Sequence, residues 1–318
     1  MTKTKKIIIA ALALLLLAAI LFGVLFGVKI YKKRHPAGME RSTLPNGHGK
    51  KATVILLAGQ SNAAGCSHDE YLQMTATPEK YAEYEAGYDN VYINYFVSAT
   101  NESRGFVKCG ARQGEAIDFY GFGPELGLAE KLHEEHPDEM FFIIKYAWGG
   151  TDLARAWAAP SSEGDTGSLY NSLLELTRQS MAYLEAKNYD VSIRAMCWMQ
   201  GESDSISDED AAAYERNLEN LISDIRSDLS AFADEDGIAF IDAAIADEVI
   251  FWPNAGVINT AKRTVADRSP LNVFVDTNAA GLTTLGETQP DHDIAHYDSQ
   301  SEIKLGHLFA EAVSRFLK

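Results

Sequence analysis

The sequence predicts an α/β fold: a three-layer α/β/α sandwich around a central parallel sheet of flavodoxin-like type, preceded by an N-terminal transmembrane helix. Three observations predict it. Short apolar runs recur along the chain, segments with helical apolar spacing alternate with them, and one apolar run near the N-terminus is long enough to span a bilayer.

The N-terminal run is Ile7–Val28, uninterrupted if glycine is counted, with Lys3, Lys5 and Lys6 before it and Lys29, Lys32, Lys33 and Arg34 after it. Its length suits a spanning helix, and no small-x-small cleavage site follows it, so residues 1–28 read as an anchor rather than a cleaved signal. Secretion after cleavage is the alternative. Basic residues flank both ends, so charge alone does not orient the anchor. Residues 29–51 are rich in Gly, Pro, Ser and basic residues and read as a linker. Residues 52–318 suit one large α/β domain.

Within that domain the first strand is Val54–Ala58, bounded by Gly59. Further apolar runs follow at Val91–Val97, Phe141–Tyr146, Ser192–Met199, Ile238–Ala244 and Asn272–Val275. Helical spacing appears at Leu126–His136, Leu169–Lys187, Asp208–Phe232 and Glu302–Phe316. Such alternation implies parallel strands joined by right-handed crossovers. A dinucleotide-binding fold is the runner-up, disfavoured because no G-x-G-x-x-G follows an early strand.

The formal net charge is −17. The first 41 residues hold eight Lys/Arg and one Glu, a local +7 that leaves −24 for the remainder. That charge opposes binding to nucleic acid and to anionic surfaces. Three cysteines, Cys66, Cys109 and Cys197, do not make a disulfide framework; one Cys66–Cys109 bond is the available pairing, and free buried thiols are the alternative. No His/Cys cluster has zinc spacing, so no metal and no cofactor is expected.

Chemistry concentrates where strands end. Gly59-Gln60-Ser61-Asn62 follows the first strand, and a serine just past a strand's C-terminus lies where open α/β sheets build their sites. Ser61 reads as a nucleophile at a strand-to-helix turn, or as an ordinary helix cap. It is not the G-x-S-x-G elbow, because Ala63 stands at the last glycine position. Asp293-Ile294-Ala295-His296 offers an imidazole base with a carboxylate on the same short loop. His292 is the neighbouring alternative, and His307 reads as a helix residue. Gln200-Gly201-Glu202 follows the Ser192–Met199 strand. There Gln200 is a candidate oxyanion donor, and Glu202 is either a support for the base or a first-turn helix acid. Trp148-Gly149-Gly150-Thr151 follows Phe141–Tyr146, and its glycines let backbone N–H groups approach a ligand. Trp157 is a candidate sugar-stacking wall or a buried packing residue.

The ordered set GQSN, WMQGESD and D-x-x-H followed by Leu305-Gly306 resembles the SGNH-type hydrolases, specifically the sialate O-acetylesterase and acetylxylan esterase group (carbohydrate esterase family six). The resemblance runs from about residue 52 to the C-terminus; Ala63-Ala64-Gly65 stands where the family usually has Met-Ala-Gly. It implies a serine esterase that removes acetyl groups from a carbohydrate through an acetyl-enzyme. Ser61 would be the nucleophile, His296 the base, and Asp293, with Glu202 beside it, the acidic support. The oxyanion hole would comprise Ser61, Gly149, Gly150 and Gln200, and substrate would meet Gln60, Asn62 and Trp157. The domain would face outward, since such glycans are extracellular. Two alternatives stand beside this: a glycan-binding surface protein with little turnover, and an acyl hydrolase of other esters on the same fold. Nothing in the sequence sets the oligomeric state.

Overall fold

The structure is a computed structural model and describes residues 38–42, 44–97, 101–115, 120–287 and 293–317. In chain order the strands are β1 (Lys51–Gly59), β2 (Ser67–His68), β3 (Val91–Val97), β4 (Asn101–Glu102), β5 (Val107–Lys108), β6 (Gly121–Phe122), β7 (Phe141–Ala147), β8 (Asp190–Met199), β9 (Ala239–Ala243) and β10 (Asn272–Val275). The α-helices are α1 (Ser61–Ala64), α2 (Asp69–Thr75), α3 (Pro78–Ala86), α4 (Pro124–Glu135), α5 (Ser168–Ala186), α6 (Asp208–Asp228), α7 (Ala255–Ala266) and α8 (Ser299–Ser314).

The main sheet runs β10-β9-β8-β1-β7-β3-β4, with β5 also paired to β3. Its six long strands are parallel, whereas β4 and β5 are antiparallel additions at the β3 edge. The first strand therefore sits between the third and fourth long strands, and the second lies outside the third. That order differs from the flavodoxin arrangement, in which the first strand separates the second from the third. Apolar runs identify strands but carry no record of which neighbour each crossover selects. From β1 the chain goes to β3 and back to β7 on one side, then crosses to β8, β9 and β10 on the other, so β1 marks the switch point where open sheets leave a crevice.

Both faces of the sheet are covered. β7 is buried at every position, which a one-sided sheet would not allow. The cover is made by α4 with α8, by α6 with α7, and by α5 against β7 and β8. The first pair touches backbone to backbone: a β-carbon on Gly127 would lie 2.0 Å from Ile303 O, and one on Gly306 would lie 2.3 Å from Pro124 O. Helix ends follow local chemistry. Ser207 accepts from Asp210 N to start α6, Asp298 accepts from Ser301 N to start α8, and Pro124 sits in the first turn of α4.

Three helices, α2, α3 and α7, escape the apolar-spacing reading. In α7 the buried positions are Ala255, Ile258, Ala261, Lys262 and Val265. Their spacing is helical, but small residues and a buried lysine hide it. In α3 only Tyr84 is buried, so there is no apolar stripe to read.

The expected transmembrane helix at Ile7–Val28 lies outside the described residues. Among the described residues no helix is long and apolar enough to cross a membrane. The fold class is corrected accordingly to the α/β sandwich that the described residues form, and the membrane attachment is not carried further. Of the segment read as linker, Leu44 is buried, and Gly47 N and Gly49 N donate to Lys187 O and Asn188 O at the α5–β8 turn. All three cysteines are free thiols, so Cys66 and Cys109 are not bonded.

Gly59 closes β1 with φ +144°, and a β-carbon there would lie 1.9 Å from Met199 O. No side-chain motion relieves a clash with backbone. Gly59→Ala is therefore expected to cost roughly 4 kcal/mol or more, the range of severe backbone and packing lesions. A urea-unfolding midpoint equal to wild type would show instead that the β1–β8 crossing relaxes.

Candidate active site

Strand register brings three predicted turns to one edge. Gly59 pairs with Ala147 on one side and with Met199 on the other. The GQSN, AWGG and QGE segments consequently leave the sheet side by side. Helix α1 begins at Ser61, and its first-turn N–H groups have no intrahelical acceptor. A buried cation fixes this short helix from below. Lys145 Nζ donates to Ala64 O at 3.0 Å and to Gln113 O at 3.3 Å, and it pairs with Glu125 Oε2 at 2.6 Å. Lys145 interrupts the apolar pattern of β7 because it supports the turn.

Asn62 ties the turn to the other two motifs. Its Nδ2 donates to Glu202 Oε1 at 2.8 Å, and its Oδ1 accepts from Tyr297 N at 3.1 Å. The residue next to Tyr297 is His296. His296 Nδ1 makes a short contact with Asp293 Oδ2, and Asp293 Oδ1 also accepts from Ala295 N at 2.7 Å. The hydrogen bond to His296 is the main reason the Asp293 carboxyl lies below its ordinary range. With Nδ1 committed, Nε2 is the ring nitrogen left for a second partner. His292 lies outside the described residues. His307 sits on α8, with Nε2 2.8 Å from Glu130 Oε2 on α4, away from this cluster.

Glu202 is 1% exposed and faces Asn62; its other oxygen has no protein partner. Burial holds its carboxyl above the ordinary range, against the pull of the Asn62 amide and the charges of Lys262 and His296. Among the hydrogen bonds of the described residues, Glu202 reaches Asn62 and Asp293 reaches His296.

Gln60 and Gln200 are structural brackets in this geometry. Gln60 Oε1 accepts from Gln200 Nε2, Gly201 N and Ser203 N at 3.2–3.4 Å. Gln200 is fully buried. Its Nε2 donates to Asp204 Oδ2 at 2.6 Å and to Thr151 O at 3.0 Å, while its Oε1 accepts from Tyr214 Oη at 3.0 Å. Both amide hydrogens are committed, so the expectation that Gln200 donates to an oxyanion is corrected. Asp204, the last residue of the WMQGESD motif, also accepts from Leu153 N and Ala154 N and anchors that amide.

Gly149 stands beside the nucleophile candidate. A β-carbon on it would lie 3.6 Å from Ser61 Cβ. Gly150 is exposed with φ +68°, and nothing stands within 4 Å of where its β-carbon would be. Trp157 is corrected from sugar-stacking wall to core. It is fully buried, packed edge-on against Trp198 and Tyr146, with Nε1 donating to Thr151 Oγ1 at 2.9 Å. The half-buried aromatic in this segment is Trp148, stacked on Phe96. No group of His, Cys, Asp and Glu suited to a metal occurs among the described residues.

A family model described as "Carbohydrate esterase, sialic acid-specific acetylesterase" matches residues 51–315. The chain belongs to that family. A probable carbohydrate esterase of Arabidopsis thaliana is 26% identical over 195 residues, 60% of this chain and 63% of the relative. The match thus spans under two thirds of that relative's length. The X-ray structure of the Arabidopsis protein superposes with a TM-score of 0.62 at 22% identity, covering 86% of this chain and 100% of the other. NanS gives 0.61 at 18%, covering 86% and 98%. A carbohydrate acetylesterase from Xanthomonas citri gives 0.53 at 15%, covering 83% and 56%. At these identities the structures speak for the fold, and the family match carries the resemblance read from the three motifs.

Two acids of this esterase-family domain predict its pH response. Burial pushes both Asp204 and Asp242 up to about 6. Those folded values exceed the unfolded aspartate value of about 3.9, so folding takes up protons between the two. The stability they contribute is full below about pH 4 and is lost as pH rises through about 6. The buried Glu202 and Glu302, also held high, act in the same direction and outweigh His68, whose imidazole burial holds low, while Asp293 and Glu130, held low, act in the opposite direction below that window. Urea midpoints should therefore fall from pH 4 to pH 7; a midpoint that climbs across the interval would contradict the assignment.

Proposed function

We propose that the protein is a serine esterase that removes O-acetyl groups from a carbohydrate. The observation that carries the proposal is the chain of contacts Glu202–Asn62–Tyr297 N, with Asp293–His296 on the adjoining loop. It holds the Ser61 turn and an oriented imidazole together across the fold.

In this reading Ser61 Oγ attacks the ester carbonyl while His296 Nε2 takes its proton. Asp293 fixes the imidazole tautomer and stabilises the imidazolium. The tetrahedral oxyanion meets the Ser61 and Gly150 backbone N–H groups, with Gly149 leaving room beside them. His296 then protonates the departing sugar hydroxyl. Water, deprotonated by His296, attacks the acetyl-serine, and collapse releases acetate and restores Ser61. Glu202 acts through Asn62 as a positioning residue. Oriented donors and one acid–base pair complete this cycle without a further group.

The test is acetate release by the purified full chain from acetylated xylo-oligosaccharides and O-acetylated sialic acid, with p-nitrophenyl acetate in parallel. Turnover of at least one glycan ester is expected. Tight glycan binding without acetate release would favour a binding protein. Turnover of p-nitrophenyl acetate and long-chain esters alone would favour a different acyl hydrolase.

A further inference from the structure

Glu302 belongs to none of the motifs, yet it stands behind the base. It lies six residues after His296, in the first turn of α8, and is 1% exposed. Neither of its carboxyl oxygens has a hydrogen-bond partner among the described residues. A carboxylate in that position loses its hydration and gains no donor. The backbone leaves it no room to withdraw. A β-carbon on Gly127 of α4 would lie 2.0 Å from O of Ile303, the next residue, so α4 and α8 already touch there.

The charges around Glu302 are mostly of its own sign. Glu125 acts on it from α4, Glu202 from the turn after β8, and Asp298 from the start of α8; Lys145 of β7 is the opposing cation. Lys145 is already spent on Glu125, Ala64 O and Gln113 O. Cys66, just past α1, and Tyr297 feel the Glu302 charge in their turn. Other charged groups on elements packed against α8 are paired elsewhere: Asp69 of α2 with Arg112, Asp242 of β9 with Lys262, and Glu130 of α4 with Lys80 and His307. His68 of β2 stacks on Tyr71. Burial, more than any of these charges, holds the Glu302 carboxyl well above its ordinary range.

The first turn of α8 is joined directly to the segment that presents the imidazole. Tyr297 N donates to Asn62 Oδ1 at 3.1 Å, and Tyr297 O accepts from Ser67 Oγ at 2.7 Å. Asp298 then caps α8 by accepting from Ser301 N. A displacement of that turn is therefore passed on to His296.

We propose that Glu302 is a positioning residue for the ester hydrolysis: as a neutral acid it lets α8 seat and hold His296 against the Ser61 turn, and as a carboxylate it drives the first turn of α8 away from Glu125 and Glu202. The inference rests on the esterase reading above and adds to it a reversible alkaline off-switch. The sign follows from linkage. Folding takes up a proton at Glu302 above the unfolded glutamate value of about 4.3, so the contribution of the neutral form is complete below that value and is lost as pH rises through the raised folded one.

The experiment measures kcat of the full chain on p-nitrophenyl acetate and on an acetylated xylo-oligosaccharide, corrected for spontaneous hydrolysis, from about pH 6 to about pH 10, in wild type and Glu302→Gln. Titration of His296 alone gives a rise to a plateau. Wild type should then fall at least about tenfold by about pH 10, in kcat more than in KM, and recover on return to about pH 7. Glu302→Gln should hold its plateau within about twofold over the same range. Glu302→Asp keeps an ionisable group and should keep an alkaline fall. A glutamate that merely fills space would change stability when replaced and leave the shape of the profile alone. Hydrogen exchange of the α8 amides, corrected for intrinsic rates, should quicken across the alkaline interval in wild type and not in Glu302→Gln. Wild-type kcat that stays level to about pH 10, or an alkaline fall equal in wild type and folded Glu302→Gln, overturns the inference and leaves the esterase reading intact. Should Glu302→Gln not fold, constant protection of α8 in wild type overturns it. Absence of turnover of any ester at any pH overturns both.

Discussion

Ser61→Ala is expected to fold like the wild type and to lose roughly 10⁴-fold or more in kcat on any acetyl ester, as serine triads do when a member is removed. The helix that carries Ser61 is held by Lys145 at Ala64 O and by Asn62, and neither contact uses the serine hydroxyl. The loss should therefore be one of chemistry, with the urea midpoint little changed. A fluorophosphonate should label Ser61 and no other serine. Retention of more than about a tenth of wild-type activity would remove Ser61 from the nucleophile's role.

The second large effect separates two carboxylates. Asp293→Asn is expected to lower kcat by up to about 10⁴, because an amide can no longer hold His296 in the required tautomer. Glu202→Gln should cost far less, on the order of tenfold or below. Burial already favours the neutral form of Glu202, and a glutamine oxygen can still accept from Asn62. Steady-state kinetics on one substrate rank the pair. If Glu202→Gln proves the more damaging, the supporting role passes to Glu202 and the Asp293 contact becomes a loop constraint.

Much of the architecture was legible because its signals are local. Val54–Ala58 announces a buried strand by composition, and Gly59 announces the turn that follows. Asp293 and His296 lie three residues apart, so one loop accounts for both. Strand order was illegible, because the apolar content of Val91–Val97 does not say that β7 will come between it and β1. The bracket around Gln200 was equally hidden. Its partners Asp204, Thr151 and Tyr214 come from three separate elements, and a glutamine after a strand looks the same whether its amide is free or spent. Trp157 failed as a wall for a related reason: an aromatic near a site motif reads alike whether it faces solvent or Trp198. Glu302 gave no sign of its surroundings, since a first-turn helix acid looks the same until folding buries it near Glu125 and Glu202.

The contact between the backbones of α4 and α8 has a consequence for biosynthesis. On a ribosome the Ser61 turn is made well before His296 and the helix behind it. Until the chain beyond Asp293 has emerged, Tyr297 N cannot reach Asn62. In the proposed mechanism hydrolytic competence would wait for α8 to dock, and a chain cut short before Asp293 would lack both the base and the helix that covers one face of the sheet.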